Sequence, residues 1–96
     1  MIRITHRDQA SQQTALQIEG ALIGSAVSIL ARTGTPLLRH DRVLVLDLIG
    51  LQAIDQAGVA LLQTWSKQNL RLQGASPYIQ LLLKRHGLVV EEGVNG

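Results

Sequence analysis

The chain's 96 residues, 46% of them apolar, suffice for one domain with one real core. It has no cysteine, which excludes disulfides and thiolate metal sites, and its apolar runs fall far short of the roughly 20 residues a membrane span needs. The net charge of +2 comes from scattered basic residues, and Trp65 and Tyr78 are the only aromatic rings, so no nucleic-acid partner is expected.

The opening MIRITHRDQ is polar and no apolar leader core follows, so a cytoplasmic location is expected. Residues 2–5 and 14–19 alternate apolar and polar side chains, as half-buried strands do. The polar run 7–13 between them suits a hairpin loop, and Gly20 is expected to end the second strand. Residues 22–33 shift to helical period: Ile23, Ala26, Val27 and Leu30 share one face, with Ser25, Ser28 and Arg32 opposite. Gly34 is placed like a helix C-cap, and Pro36 blocks continuation.

Residues 43–48, VLVLDL, form a near-continuous apolar run, the pattern of a central strand covered on both faces. A loop at 49–54 then leads to Asp55, the cap of a helix predicted over 56–68. Residues 70–73 read as a short strand. Gly74-Ala75 turns into Ser76-Pro77, an N-cap followed by proline at the first helical position. That helix reaches about His86, Gly87 closes it, and 88–90 suit a last short strand. The order β-β-α-β-α-β-α predicts an α/β domain over 1–90 with a mixed four- to five-stranded sheet, followed by a flexible tail at 91–96.

Four residues after residue 54 carry most of the functional information. The Asp55 carboxylate can accept hydrogen bonds from the amides of the following turn, and its charge suits the positive end of the helix dipole. That alone explains an aspartate; it can also shape a binding surface. Gly58 shares a face with Leu61, Leu62 and Trp65 at about 100° per residue. Glycine inside a helix costs about 1 kcal/mol against alanine, so close approach of the helix to the sheet is expected there. Val59 falls on the opposite face with Gln56, Gln63 and Lys67, beside Ala60, and is expected outward, either solvated or in a protein contact.

Catalytic patterns are missing. His6, His40 and His86 lack metal-ligand spacing, and no metal or cofactor is expected. His86 falls on the apolar face of the last helix, near its end, where a cap or core role is expected. The sequence has no glycine-lysine phosphate loop and no G-x-S-x-G elbow.

The stretch LDLIGLQAIDQAGVALL, supported by NLRLQGASPYIQLLLKRHGL, resembles the STAS family, the fold of anti-sigma factor antagonists. Members typically carry Asp-Ser-Ser-Gly or Asp-Ser/Thr-x-Gly, and the hydroxyl after the aspartate takes a phosphate. Here Gln56 and Ala57 stand in those places, so Gln56 marks a degenerate phosphosite. A carboxamide takes no phosphoryl group and lacks phosphoserine's charge of about −1.5 to −2. The resemblance implies a bacterial, non-enzymatic regulatory domain that docks a protein on Asp55, Gln56, Ala57, Val59, Ala60, Gln63 and the 49–54 loop. An anti-sigma-type serine kinase or a stressosome-like assembly is the partner implied first. The alternative is the ATPase subunit of a lipid-transport ABC system, whose small STAS subunit is similar around Asp-x-Ala-Gly-x-Ala-Leu-Leu but usually keeps a hydroxyl at the Gln56 position. Asp41, Asp47 and Asp55 raise a phospho-aspartate receiver as a third class. That fold needs an acidic pair after its first strand and a lysine near its last, which this chain does not offer.

Overall fold

The computed structural model describes residues 2–10 and 12–91, the side chains of 8–10 excepted. Five strands and three helices alternate after an initial hairpin: β1 (Ile2–Ala10), β2 (Gln13–Leu22), α1 (Ser25–Gly34), a 3-10 turn (Thr35–Leu37), β3 (Val43–Ile54), α2 (Gln56–Trp65), β4 (Leu70–Gln73), α3 (Pro77–Arg85) and β5 (Val90–Glu91). The sheet runs β1-β2-β3-β4-β5 in space. β1 is antiparallel to β2, and the remaining pairs are parallel, each bridged by one helix. This is the mixed α/β architecture that the alternation of elements predicts.

Three strands are longer than their apolar runs. The polar segment 7–13 is largely strand, with Arg7 opposite Ala15 and Asp8 opposite Thr14, and the pairing shifts between Asp8 and Ala10. Polar side chains are compatible with this because an edge strand keeps one side in water. β2 continues past Gly20, and β3 continues through the segment expected as a loop, 49–54. Glu19 pairs with Gly50, Gly20 with Leu51, Ala21 with Ala53 and Leu22 with Ile54. Gly20 adopts φ 96°, and a Cβ on Gly50 would lie 2.7 Å from Glu19 Cγ. These glycines let the two strands stay paired through two irregularities.

One hydrophobic cluster forms the core. It takes Leu16, Ile18, Leu44, Leu46, Leu48 and Leu72 from the strands, and Leu30, Leu62, Trp65, Ile79 and Leu83 from the helices. The strand residues share one face by their alternation. The helices therefore cover one face of the sheet, not both as the VLVLDL run suggests. On the open face, Ala15 and Val45 are buried outside the cluster. They occupy one cross-strand row, Arg7–Ala15–Val45–Arg71. The aliphatic stems of the flanking arginines suit such a row.

The helix ends show what sets each boundary. Leu22 is buried at the end of β2 and Ile23 is 46% exposed, so α1 starts at Ser25 and not at 22. Gly34 is helical, with φ −91°, and not a left-handed cap. It is glycine because the Trp65 ring lies against it, with Cζ3 2.9 Å from where a Cβ would stand and Cη2 closer still. α2 stops at Trp65, where the Ser66 hydroxyl donates to Gln63 O. Ser76 and Pro77 start α3 as expected, and Gly87, at φ 79°, follows its end. His86 is the C-cap of α3, one of the two roles expected for it, and is exposed rather than in the core. Glu91, assigned to the tail by sequence, pairs with Gln73 in β5 and its carboxylate meets Arg71 Nε at 3.0 Å. The rest of the expected tail, 92–96, lies outside the described residues.

Candidate functional site at the start of α2

Asp55 leaves β3 in extended conformation and caps α2. Its Oδ1 accepts from the Gly58 amide at 2.8 Å, and its Oδ2 accepts from the Gly24 amide at 2.9 Å. Its own amide donates to Leu22 O at 3.2 Å. One side chain thus joins the start of α2 to the β2–α1 connection. Hydrogen bonds from Gly24 and then Gly58 hold the Asp55 carboxyl below its ordinary pKa. Each oxygen accepts one of these bonds, so this carboxylate acts as a clamp.

Gly58 is buried, and the close approach expected of it is present. A Cβ there would lie 2.7 Å from Ile54 Cγ1 and 2.9 Å from Leu22 O. The second contact is backbone, which cannot swing aside. The strands, the connection and the helix therefore meet within one residue's width.

Val59 requires correction. It is 4% exposed and belongs to the core cluster, so it does not point outward. It lies about 100° from Gly58 around the helix but only about 60° from Leu62. The buried residues of α2 are Gly58, Val59, Leu62 and Trp65, a face centred on Leu62. An expectation centred nearer Leu61 and Trp65 puts Val59 on the wrong side. Gln63 is also more engaged than expected: its Nε2 donates to His86 O at 2.9 Å, tying α2 to the end of α3.

The exposed members of the expected surface are Gln56, Ala57 and Ala60, with Ile49 and Gln52 of the 49–54 segment. The structure adds Ile23 and Gly24, which Asp55 holds beside the helix start. Gly24 adopts φ 60°, and the sequence hint is a glycine just before an amphipathic helix. The two other aspartates weighed for a receiver are engaged elsewhere: Asp41 pairs with Arg39 at 3.2 Å, and Asp47 accepts from the Ile49 amide at 3.0 Å. Among the described residues, no group of three His, Asp or Glu side chains is placed to hold a metal ion.

The family model described as "Mlab, STAS domain" matches residues 5–89. No curated protein sequence matches the chain. Among solved structures, the chain is similar to the anti-sigma factor antagonist SpoIIAA in its unphosphorylated form, with TM-score 0.77 at 16% identity, over 97% of this chain and 90% of that one. It is similar to an anti-sigma factor antagonist from Mycobacterium paratuberculosis, with TM-score 0.79 at 13% identity, over 91% and 79%. A Shewanella loihica protein of the DUF3478 family, with a SpoIIAA-like fold, gives TM-score 0.61 at 11% identity, over 98% and 86%. At these identities the solved structures establish the fold.

Proposed function

The chain belongs to the Mlab-type STAS family, and on that premise we propose that it is a non-enzymatic regulatory domain that docks a protein partner on the start of α2. The observation that carries this reading is the Asp55 clamp beside an exposed Gln56. The clamp fixes Ile23, Gly24, Gln56, Ala57 and Ala60 as one surface around the Asp55 carboxylate. A serine kinase has no hydroxyl to modify at 56 or 57. A partner that needs the unmodified state then meets it permanently. An anti-sigma-type kinase or a stressosome-like assembly fits that logic, in the cytoplasm.

The run Asp55-Gln56-Ala57-Gly58-Val59-Ala60-Leu61-Leu62 favours a second reading, in which the chain is the small subunit that binds the ATPase of a lipid-transport ABC system. Among the described residues, no helix is long and apolar enough to cross a membrane, so in that role the chain would attach through its partner.

Site-specific photo-crosslinking tests both. A benzophenone side chain placed at Ala60 should capture a partner from its native host, and one at the exposed Lys84 on α3 should not. The mass of the adduct separates a kinase from a transport ATPase. Equal capture from both positions, or none from Ala60, refutes docking on this helix start.

A further inference from the structure

The other end of the sheet has features that the α2 surface does not use. β1 is the outermost strand, nine residues long. In an antiparallel pair, alternate residues direct their N–H and C=O groups away from the partner strand, so β1 presents a row of backbone donors and acceptors along its free edge.

The two sides of that edge differ. On the helix side, Ile2, Ile4 and His6 of β1 line a largely aliphatic groove of about 430 Å³ with Leu16, Ile29, Thr33 and Leu37. α1 covers this part of the sheet incompletely, and Ile29 is 48% exposed above it. On the open side stand Arg3, Thr5 and Arg7, and both arginines are exposed. Glu19 faces Arg3 across the pair, but Arg7 faces Ala15, with Val45 and Arg71 further along its row.

We infer that the β1 edge between Ile2 and Arg7 binds an extended protein segment in which aliphatic residues alternate with Asp or Glu. A strand added here lies about 4.8 Å from β1 and points its side chains alternately to the two sides. One set enters the aliphatic groove; the other meets Arg3 and Arg7. Backbone hydrogen bonds supply binding, and the alternation supplies selectivity. A second copy of β1 is a poor match, because its corresponding side repeats arginines where acids are required. Arginines on an edge strand also serve to block aggregation, but that role does not require an aliphatic groove on the reverse side.

The probe is a capped peptide of sequence EVEIEVE, with KVKIKVK as its charge-reversed control. Binding is read by amide chemical-shift changes in the labelled protein. EVEIEVE should bind, weaken with added salt, and perturb the amides of residues 2–7. The double variant Arg3→Glu, Arg7→Glu should lose about tenfold or more in affinity, since two rim charges change sign. Ile29→Glu, at the half-exposed rim of the groove, should also weaken binding while the circular dichroism spectrum stays unchanged. No binding of EVEIEVE, equal binding of KVKIKVK, or perturbation confined to α2 and α3 overturns the inference. So does sedimentation showing that the protein already dimerises through β1.

Discussion

Asp55 and Gly24 are 31 residues apart in sequence, and one hydrogen bond of 2.9 Å joins the carboxylate of the first to the amide of the second. Together with the Gly58 contact, it makes the ionised form of Asp55 the form that fits the fold. The shift is downward, so the folded state favours the carboxylate more than the unfolded chain does. Its contribution to stability is complete above the ordinary aspartate pKa of about 3.9 and is lost as pH falls through the lower folded value. Asp55→Asn keeps one acceptor and cannot serve both amides. The urea midpoint of Asp55→Asn should fall below wild type at neutral pH, and the gap should narrow in acid. A gap that is independent of pH would show that the charge contributes nothing.

Gly58→Ala should destabilise the protein even though alanine is the better helix former by about 1 kcal/mol. The new methyl would meet Leu22 O at 2.9 Å and Ile54 Cγ1 at 2.7 Å. Overpacking against a fixed carbonyl costs about 1–3 kcal/mol and outweighs the propensity gain. Gly58→Leu should be worse. A raised urea midpoint for Gly58→Ala would mean that the helix can lift away from the strand without loss.

Gly34→Ala should behave in the same way for a different reason, since the obstacle is the Trp65 ring rather than backbone. A side chain can be shortened. In the background of Trp65→Leu, the Gly34→Ala substitution should therefore cost less than in wild type. The difference is a coupling within the usual range of about 0.5–3 kcal/mol for touching residues. Additive effects in the double variant would separate Gly34 from Trp65.

Local chemistry was legible in the sequence, and long-range pairing was not. Asp55 as a cap and Ser76-Pro77 as a helix start depend on residues within one turn, and Gly58 stands out as a glycine inside a helix, although the carbonyl it approaches, Leu22 O, belongs to β2. The lengths of β2 and β3 depend on each other: residues 49–54 look like a loop until Gly50 and Leu51 are placed against Glu19 and Gly20. The burial of Ala15 and Val45 arises in the same way, from neighbours in one cross-strand row rather than from a second layer of helices. For Val59, the 3.6-residue period holds, but the buried face is centred on Leu62 rather than nearer Leu61 and Trp65. A helix with alanines on its outer side, Ala57 and Ala60, offers little polarity to fix that centre.

Val59→Glu should behave as a core variant. An unpaired carboxylate forced into the cluster should cost about 3–5 kcal/mol and threaten folding. Ala60→Glu, one position on and exposed, should stay within about 0.5 kcal/mol of wild type. Urea melts of both variants decide the face of α2. Equal, small effects would return Val59 to the surface.

Gln56→Glu isolates the role of charge at the proposed docking surface. Gln56 is the first residue of α2 and is exposed, so a carboxylate there sits at the positive end of the helix dipole. That placement is worth about 0.3–1 kcal/mol in isolation, and the neighbouring Asp55 charge opposes it. Stability should therefore change little, within about 0.5 kcal/mol as for ordinary surface sites. A partner adapted to a neutral amide should respond differently, because the new charge must be desolvated beside Ala57 and Ala60. Capture by the photo-crosslinker at Ala60 should drop several-fold in Gln56→Glu, and Gln56→Asn should retain most of it. Undiminished capture in the charged variant would mean that the partner does not read position 56.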